Sequence, residues 1–290
     1  SSNNILAWSF TRLTRLDPIS LADDSSFNDI DITGQINGVL ELPGQGYLVA
    51  TNRGASYEGN PLDALALFDF NGNLVPSFDV GLLEISPLAV NQPSARAIDL
   101  TPDGKIIAMI ETAKWPDGDR IESLVRINPD GSRDNSFSTT IESEIFEVMP
   151  DGKVTYLTGN NNKEIHRLNA DGSPDTSFNT AGHQSNAANT GLVAEPSGKV
   201  LLYGRFTFFG STIANGYIRL NTDGTPDSSF DSTLGFKGLS ANSEYPVGHA
   251  TYDPRGFFYL IQGTTNSLIN FRDNDQRGIV RVFSDQPDLY

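Results

Sequence analysis

One eleven-residue segment recurs along the chain: INPDGSRDNSF at 127–137, LNADGSPDTSF at 168–178 and LNTDGTPDSSF at 220–230. A weaker copy, FDFNGNLVPSF, occupies 68–78, and a looser one with an extra residue, LDPISLADDSSF, occupies 16–27. A second motif interleaves with the first, as TPDGKII from Thr101, MPDGKVT from Met149, EPSGKVL from Glu195, DPRGFFY from Asp253 and a divergent LPGQGYL from Leu42. Self-similarity of this kind restricts a chain to folds that repeat one supersecondary unit and bury its face against neighbouring copies. The phenylalanine closing the first motif falls at 27, 78, 137, 178 and 230, so successive copies lie 41 to 59 residues apart. That period is the size of a propeller blade.

Pro-Asp-Gly-Lys between apolar runs is turn chemistry, because proline presets φ, aspartate makes an Asx turn and glycine accepts positive φ. It predicts a hairpin between strands A and B. The runs that follow it, 105–111, 153–158, 199–206 and 257–262, are rich in β-branched and aromatic residues and have no helical period. Alternating segments such as 122–128 and 216–221 supply strand C, and after a second tight turn a short strand D closes on Ser-Phe. The expected fold is all-β, a five-bladed β-propeller of four-stranded antiparallel blades. The last copy offers A, B and C strands around 252–261 and 278–284 but no D-x-S-F, whereas the chain opens with an orphan DDSSF at 23–27. Pairing of N- and C-terminal strands is therefore expected to close the ring. Residues 1–20 read as an N-terminal strand or docking tail, residues 21–290 as the propeller, and the opening Ser1 as the start of a processed protein or of a piece of a longer one.

Composition narrows the function classes. A 38% hydrophobic share and 27 glycines in 290 residues are enough for a packed core. Twenty Lys and Arg against 36 Asp and Glu leave a formal charge of −16, which repels phosphate backbones and anionic lipid, so nucleic acid is not an expected partner. No run of about 18 apolar residues occurs, and no membrane insertion is expected. The absence of cysteine removes disulfides, thiol nucleophiles and thiolate metal sites, and three histidines leave little for zinc.

The pairing of R-L-N-x-D-G-S-x-D-x-S-F with a P-D-G-K hairpin resembles the delta-60 repeat β-propeller family, found in large secreted or surface-attached bacterial proteins and in some phage structural proteins. The resemblance covers about residues 15–285. It implies the propeller fold and an extracellular, cell-surface or virion setting, and it carries over no catalytic residue. Two departures stand out: Leu74, Val75 and Pro76 replace the turn-and-Asp pattern of the 68–78 copy, and residues 43–46 replace Pro-Asp-Gly-Lys.

Charged residues repeat with the motifs. Arginine precedes the first motif at Arg15, Arg126, Arg167, Arg219 and Arg281, with Leu67 as the exception, and an acid appears late in strand A at Glu41, Asp99, Glu147, Glu195 and Asp253. Such acids can form a carboxylate ring for a metal or cationic group, or ion pairs that fix each blade. Residues repeated in every blade serve what every blade needs, which favours the structural pairs. The Asn-x-Asp-Gly-x-x-Asp spacing makes Asp130, Asp171 and Asp223 calcium candidates, but the later bidentate Glu of a calcium loop is missing. Turn hydrogen bonding is the favoured reading, and no cofactor is expected.

A glycosidase needs carboxylates converging from different blades, and such a pair is expected to break the repeat. His166, His183 and His249 have no motif partner, and no phosphate loop, nucleophile elbow or HExxH is present. The A–B and C–D turns are short and uniform, whereas the B–C and D–A connections vary, so recognition is expected on the variable face. Tyr57, Trp115, Phe208, Phe209, Phe236 and Tyr245 are its aromatic binding candidates, Phe206 being shared between loop and core. The expected function is a non-catalytic recognition or adhesion module of an extracellular or virion-associated assembly, binding a glycan or protein receptor and contacting other subunits or domains. The alternatives are a carbohydrate-active enzyme, glycosidase or lyase, on the same fold, and a structural spacer or decoration domain.

Overall fold

The computed structural model describes residues 5–84, 93–114, 120–159, 163–179, 184–185, 188–233, 236–237, 247–262, 269–271, 274–276 and 279–283. Among these the regular structure is all β-strand, and no helix is long and apolar enough to cross a membrane. The chain divides into two compact units, Ser1–Glu144 and Ile145–Tyr290.

The recurring element is an antiparallel A–B–C meander. In the first unit it appears as Ile36–Leu42, Gly46–Thr51 and Leu65–Phe68, then as Ser94–Leu100, Ile106–Lys114 and Arg120–Ile127. The second unit has Phe146–Val148, Val154–Thr158 and Lys163–Leu168, then Ala188–Ala194, Val200–Arg205 and Tyr217–Leu220, then Val247–Asp253, Phe257–Gln262 and Ile279–Phe283. The middle strand is the most deeply covered; every residue of Gly46–Thr51 is buried. A strand buried on both faces reads as a continuous apolar run rather than an alternating one, which is why its sequence shows no period.

Strand D differs from expectation. Where a fourth strand was expected to close on Ser-Phe, the described chain makes one isolated bridge per copy, Leu16 to Asp23, Phe68 to Leu74, Ile127 to Arg133, Leu168 to Pro174 and Leu220 to Pro226, and a fourth strand pairs with C beyond Ser-Phe instead, Ile30–Thr33 with Arg12–Leu16 and Gln184–Ser185 with Lys163–Leu168. The prolines explain part of this, since they bring no N–H to a ladder. Ladder pairing gives way to a turn, in which Phe137 N–H bonds back to Asp134 O and Phe178 N–H to Asp175 O. The N-terminal segment is a hairpin, Ile5–Trp8 paired with Arg12–Leu16, which pairs on to Ile30–Thr33. The expected partner for closure, the C-terminal strand, is not among its described pairings.

Packing runs from copy to copy. Phe27 and Leu13 share a core with Tyr47, Val49 and Phe68; Leu48 and Leu65 share one with Phe78, Ile106 and Ile127; in the second unit Leu157 and Phe178 pack with Leu202 and Leu220, and Tyr217 and Phe230 with Phe258 and Leu260. A latch fixes the register between copies. The residue after Ser-Phe sits on the C–D turn of the next copy: Asn28 N–H donates to Asn71 O and its Nδ2 to Asn73 Oδ1, both at 2.7 Å, and Asn179 N–H donates to Asp223 O at 2.7 Å. The approach explains the turn glycine. A Cβ on Gly72, at φ +85°, would stand 2.0 Å from Asn28 O, and one on Gly131 would stand 2.9 Å from Asp79 O.

Candidate functional site

The repeated arginines are held by an acid that the sequence reading did not pair them with. Arg15, Arg126, Arg167 and Arg219 donate through Nε to Asp24, Asp134, Asp175 and Asp227 at 2.7 to 2.8 Å, the aspartates of D-x-S-F. The chain doubles back after strand C, so that each of these aspartates also donates its N–H to the arginine carbonyl at 2.8 to 2.9 Å. The hairpin lysines complete the node: Lys105, Lys153 and Lys199 reach Asp134, Asp175 and Asp227 at 2.7, 2.9 and 2.8 Å. Each guanidinium lies over the closing Phe27, Phe137, Phe178 or Phe230, 4.4 to 5.2 Å from the ring centre. Burial opposes the charge on Asp134, Asp175 and Asp227, but hydrogen bonds from the lysines, the following serines and the arginines outweigh it and hold these carboxyls well below the usual range.

The strand A acids have other geometries. Glu195 joins the node, accepting from Arg219 Nη1 at 3.2 Å and from Ser197 Oγ at 2.9 Å. Glu147 accepts from Ala194 N–H, Asp99 from Leu100 N–H, Asp253 holds Arg255, and Glu41 is exposed. Of the expected contacts, Arg to acid or to turn backbone, Glu195 meets Arg219 and Arg15 Nη1 donates to Phe70 O at 2.6 Å, but the acid common to the four described nodes is not a strand A acid and comes from D-x-S-F. Arg281 pairs by backbone with Tyr259, and its side chain lies outside the described residues. The calcium candidates serve their own turns, Asp130, Asp171 and Asp223 each accepting the N–H and hydroxyl of the Ser or Thr two residues on, at 2.6 to 2.9 Å. Among the described residues no three His, Asp or Glu side chains converge as a metal cage would.

The aromatic candidates separate. Phe209 is fully buried in the core of the second unit, so its assignment to a binding face is corrected: in the hairpin Phe208–Phe209/Thr212–Ile213 alternate side chains face opposite ways. Phe208 and its cross-strand partner Ile213 are exposed, 48% and 52%. Phe206 is core. Tyr57 is half-buried, its ring edge-on to Phe68 at 5.1 Å, and burial, with Glu58 and Asp31 nearby, pushes its hydroxyl pKa up. Trp115, Tyr245 and the side chain of Phe236 lie outside the described residues.

One copy abandons the node altogether. Arg, Asp and Lys are replaced together by Leu67, Val75 and Gly46, yet Val75 N–H still donates to Leu67 O at 2.8 Å, so the backbone turn survives without its charges. Beside this copy lies a cavity of about 310 Å³ whose wall includes Leu65, Leu67, Val75, Phe78, Leu82 and two acids, Asp63 and Asp79. Asp63 ends the B–C connection and Asp79 follows Ser-Phe. The surrounding protein, with the charge of Asp79, pushes Asp63 up to about 6. Sequence reading passed over both acids, although the joint loss of Arg, Asp and Lys was the signal for them.

A family model described as "Domain of unknown function (DUF5122) beta-propeller" matches residues 123–137, 150–178 and 195–230, which contain the three strongest copies of the motif. Over those segments the chain is similar to β-propeller repeats. Two structures of the extracellular domain of a putative one-component or hybrid two-component system of B. thetaiotaomicron are similar in fold, with TM-scores of 0.52, 12% and 10% identity, and 96% and 99% of this chain covered. A puromycin-hydrolyzing peptidase of Mycobacterium tuberculosis is similar at TM-score 0.50 and 11% identity over 89% of this chain. The chain spans 35% of the length of the first two and 40% of the third, and at these identities the likeness is one of fold. A search of curated proteins finds no match.

Proposed function

We propose that the chain forms a closed, five-bladed propeller of the delta-60 repeat type that acts outside the cell as a non-catalytic recognition module, binding a glycan or protein receptor through its variable connections. Five meanders joined by uniform hairpins support the blade count, and the orphan D-x-S-F of residues 23–27 supports closure by the chain ends. The extracellular domains similar in fold support the setting. The observation that carries the binding reading is the hairpin Phe208–Phe209/Thr212–Ile213, inserted into a B–C connection. It shows Phe208 and Ile213 to solvent as a pair while Phe209 and Phe206 anchor it from below. An apolar pair on an anchored hairpin is pre-organised for contact, so little ordering entropy is lost on binding. The test is glycan-array and bacterial-surface binding with the Phe208→Ser/Ile213→Ser variant. Binding by the unaltered chain that falls at least about tenfold in the variant supports the reading; undiminished binding, or release of reducing sugar by the unaltered chain, removes it.

A further inference from the structure

The geometry points to a second binding site, which shares no residue with the Phe208–Ile213 hairpin although part of its wall comes from variable connections: the cavity beside the node-less copy takes an organic ammonium ion with an apolar body. Three observations meet there. First, the cavity occurs where the repeat loses its own cations, the wall offering Leu67 and Val75 where other copies have arginine and aspartate. Second, the charges left in the wall are the acids Asp63 and Asp79, with no lysine or arginine among the lining residues. Asp79 Oδ1 accepts Gly81 N–H at 2.7 Å, while the carboxylate of Asp63 has no hydrogen bond and no cation among the described residues. Third, about 310 Å³ is the size of a small-molecule site, and the rest of the wall is aliphatic, aromatic or proline.

The chemistry of the wall chooses between cations. A divalent metal ion takes six or more oxygen ligands or a compact cage, and two carboxylates in an apolar wall supply neither. An alkyl- or arylalkyl-ammonium ion needs one or two carboxylates for its N–H donors and apolar surface for its body. Binding also relieves the like-charge repulsion between Asp63 and Asp79.

The test titrates the full chain with phenethylammonium, 2-phenylethanol and phenylacetate, read by ligand-observed NMR and calorimetry at neutral pH. The expected result is saturable binding of the amine, about tenfold weaker binding of the alcohol and none of the anion. Asp63→Asn, at a position open enough to tolerate the isostere, should lower amine affinity about tenfold and leave alcohol affinity unchanged. Phe208→Ser should leave amine binding as it is, which separates this site from binding at the Phe208–Ile213 hairpin. No amine binding, equal affinity for amine and alcohol, or an Asp63→Asn variant that binds the amine undiminished would each overturn the assignment.

Discussion

The copies that end at Phe137 and Phe78 lie in the same unit and share a backbone turn, but solve one packing problem in opposite ways. The later copy buries a guanidinium and a carboxylate against a phenylalanine and caps them with a half-buried ammonium; the earlier one fills the same positions with Leu67, Val75 and Gly46. The reason is energetic: a complete buried ion network and a wholly apolar replacement can be nearly equal in stability, whereas a network missing one member leaves an uncompensated charge. An arginine and its acid are therefore gained or lost together, and a copy that has lost both is where unpaired acids such as Asp63 can take on another role.

The comparison can be broken most severely at Arg219, which is 1% exposed and holds both Glu195 and Asp227. Arg219→Met is expected to cost about 3–5 kcal/mol in denaturant unfolding, and Leu67→Met at the equivalent position less than about 1.5 kcal/mol. Similar losses at the two positions would mean that the node is not a charge network. Leu67→Arg introduces a buried charge without its acid and should destabilise by a few kcal/mol, of the order of 3. Adding Val75→Asp should recover at least half of that loss, a coupling measurable in a double-mutant cycle. Gly72→Ala tests the backbone that both solutions share: positive φ and the carbonyl of Asn28 together should cost about 1–3 kcal/mol, against about 1 kcal/mol for Gly44→Ala, where φ is +75° and the space is open.

The effects of pH differ in sign. Asp134, Asp175 and Asp227 are depressed in the fold, so the stability they contribute is complete above the ordinary carboxylate range and is lost as pH falls below about 4. Asp63 is raised to about 6, so its contribution declines as pH rises from about 4 through 6. Melting temperature against pH should then show an acid-side loss that Asp63→Asn leaves in place, and a shallow decline between pH 4 and 7 that Asp63→Asn removes. A decline that persists in that variant would show that Asp63 is not its source.

The A–B hairpins and the all-β class were legible because turn chemistry and β-branched runs are local signals, carried by Pro102, Asp103 and Gly104 and by the strand after them. The place of strand D was misread because a blade was expected to end on Ser-Phe, although the run into it carries the Pro, Asp and Asn that strands avoid; the bond from Phe137 N–H to Asp134 O that curls it into a turn is a tertiary outcome of seating Asp134 under Arg126. The node arginines were legible as repeated residues but not in their pairing, since Asp134 and Asp99 are both acids within reach of the same strand and spacing alone does not choose between them. Phe209 was misassigned because two adjacent aromatics in a hairpin look alike in sequence and face opposite ways in space. Asp63 and Asp79 went unread because neither belongs to a motif; their cavity is defined by what Leu67 and Val75 lack.

The latch between copies has a consequence for how such chains can lengthen or be re-engineered. Asn28 belongs by sequence to one copy and by hydrogen bonding to the next. A cassette cut in the A–B hairpin would leave Asn28 on one side of the splice and Gly72, which receives it, on the other. Exchange of copies should succeed when the splice falls directly after Ser-Phe, so that seat and sitter travel together; a splice in the hairpin instead demands a predecessor whose residue after Ser-Phe can stand against a bare backbone.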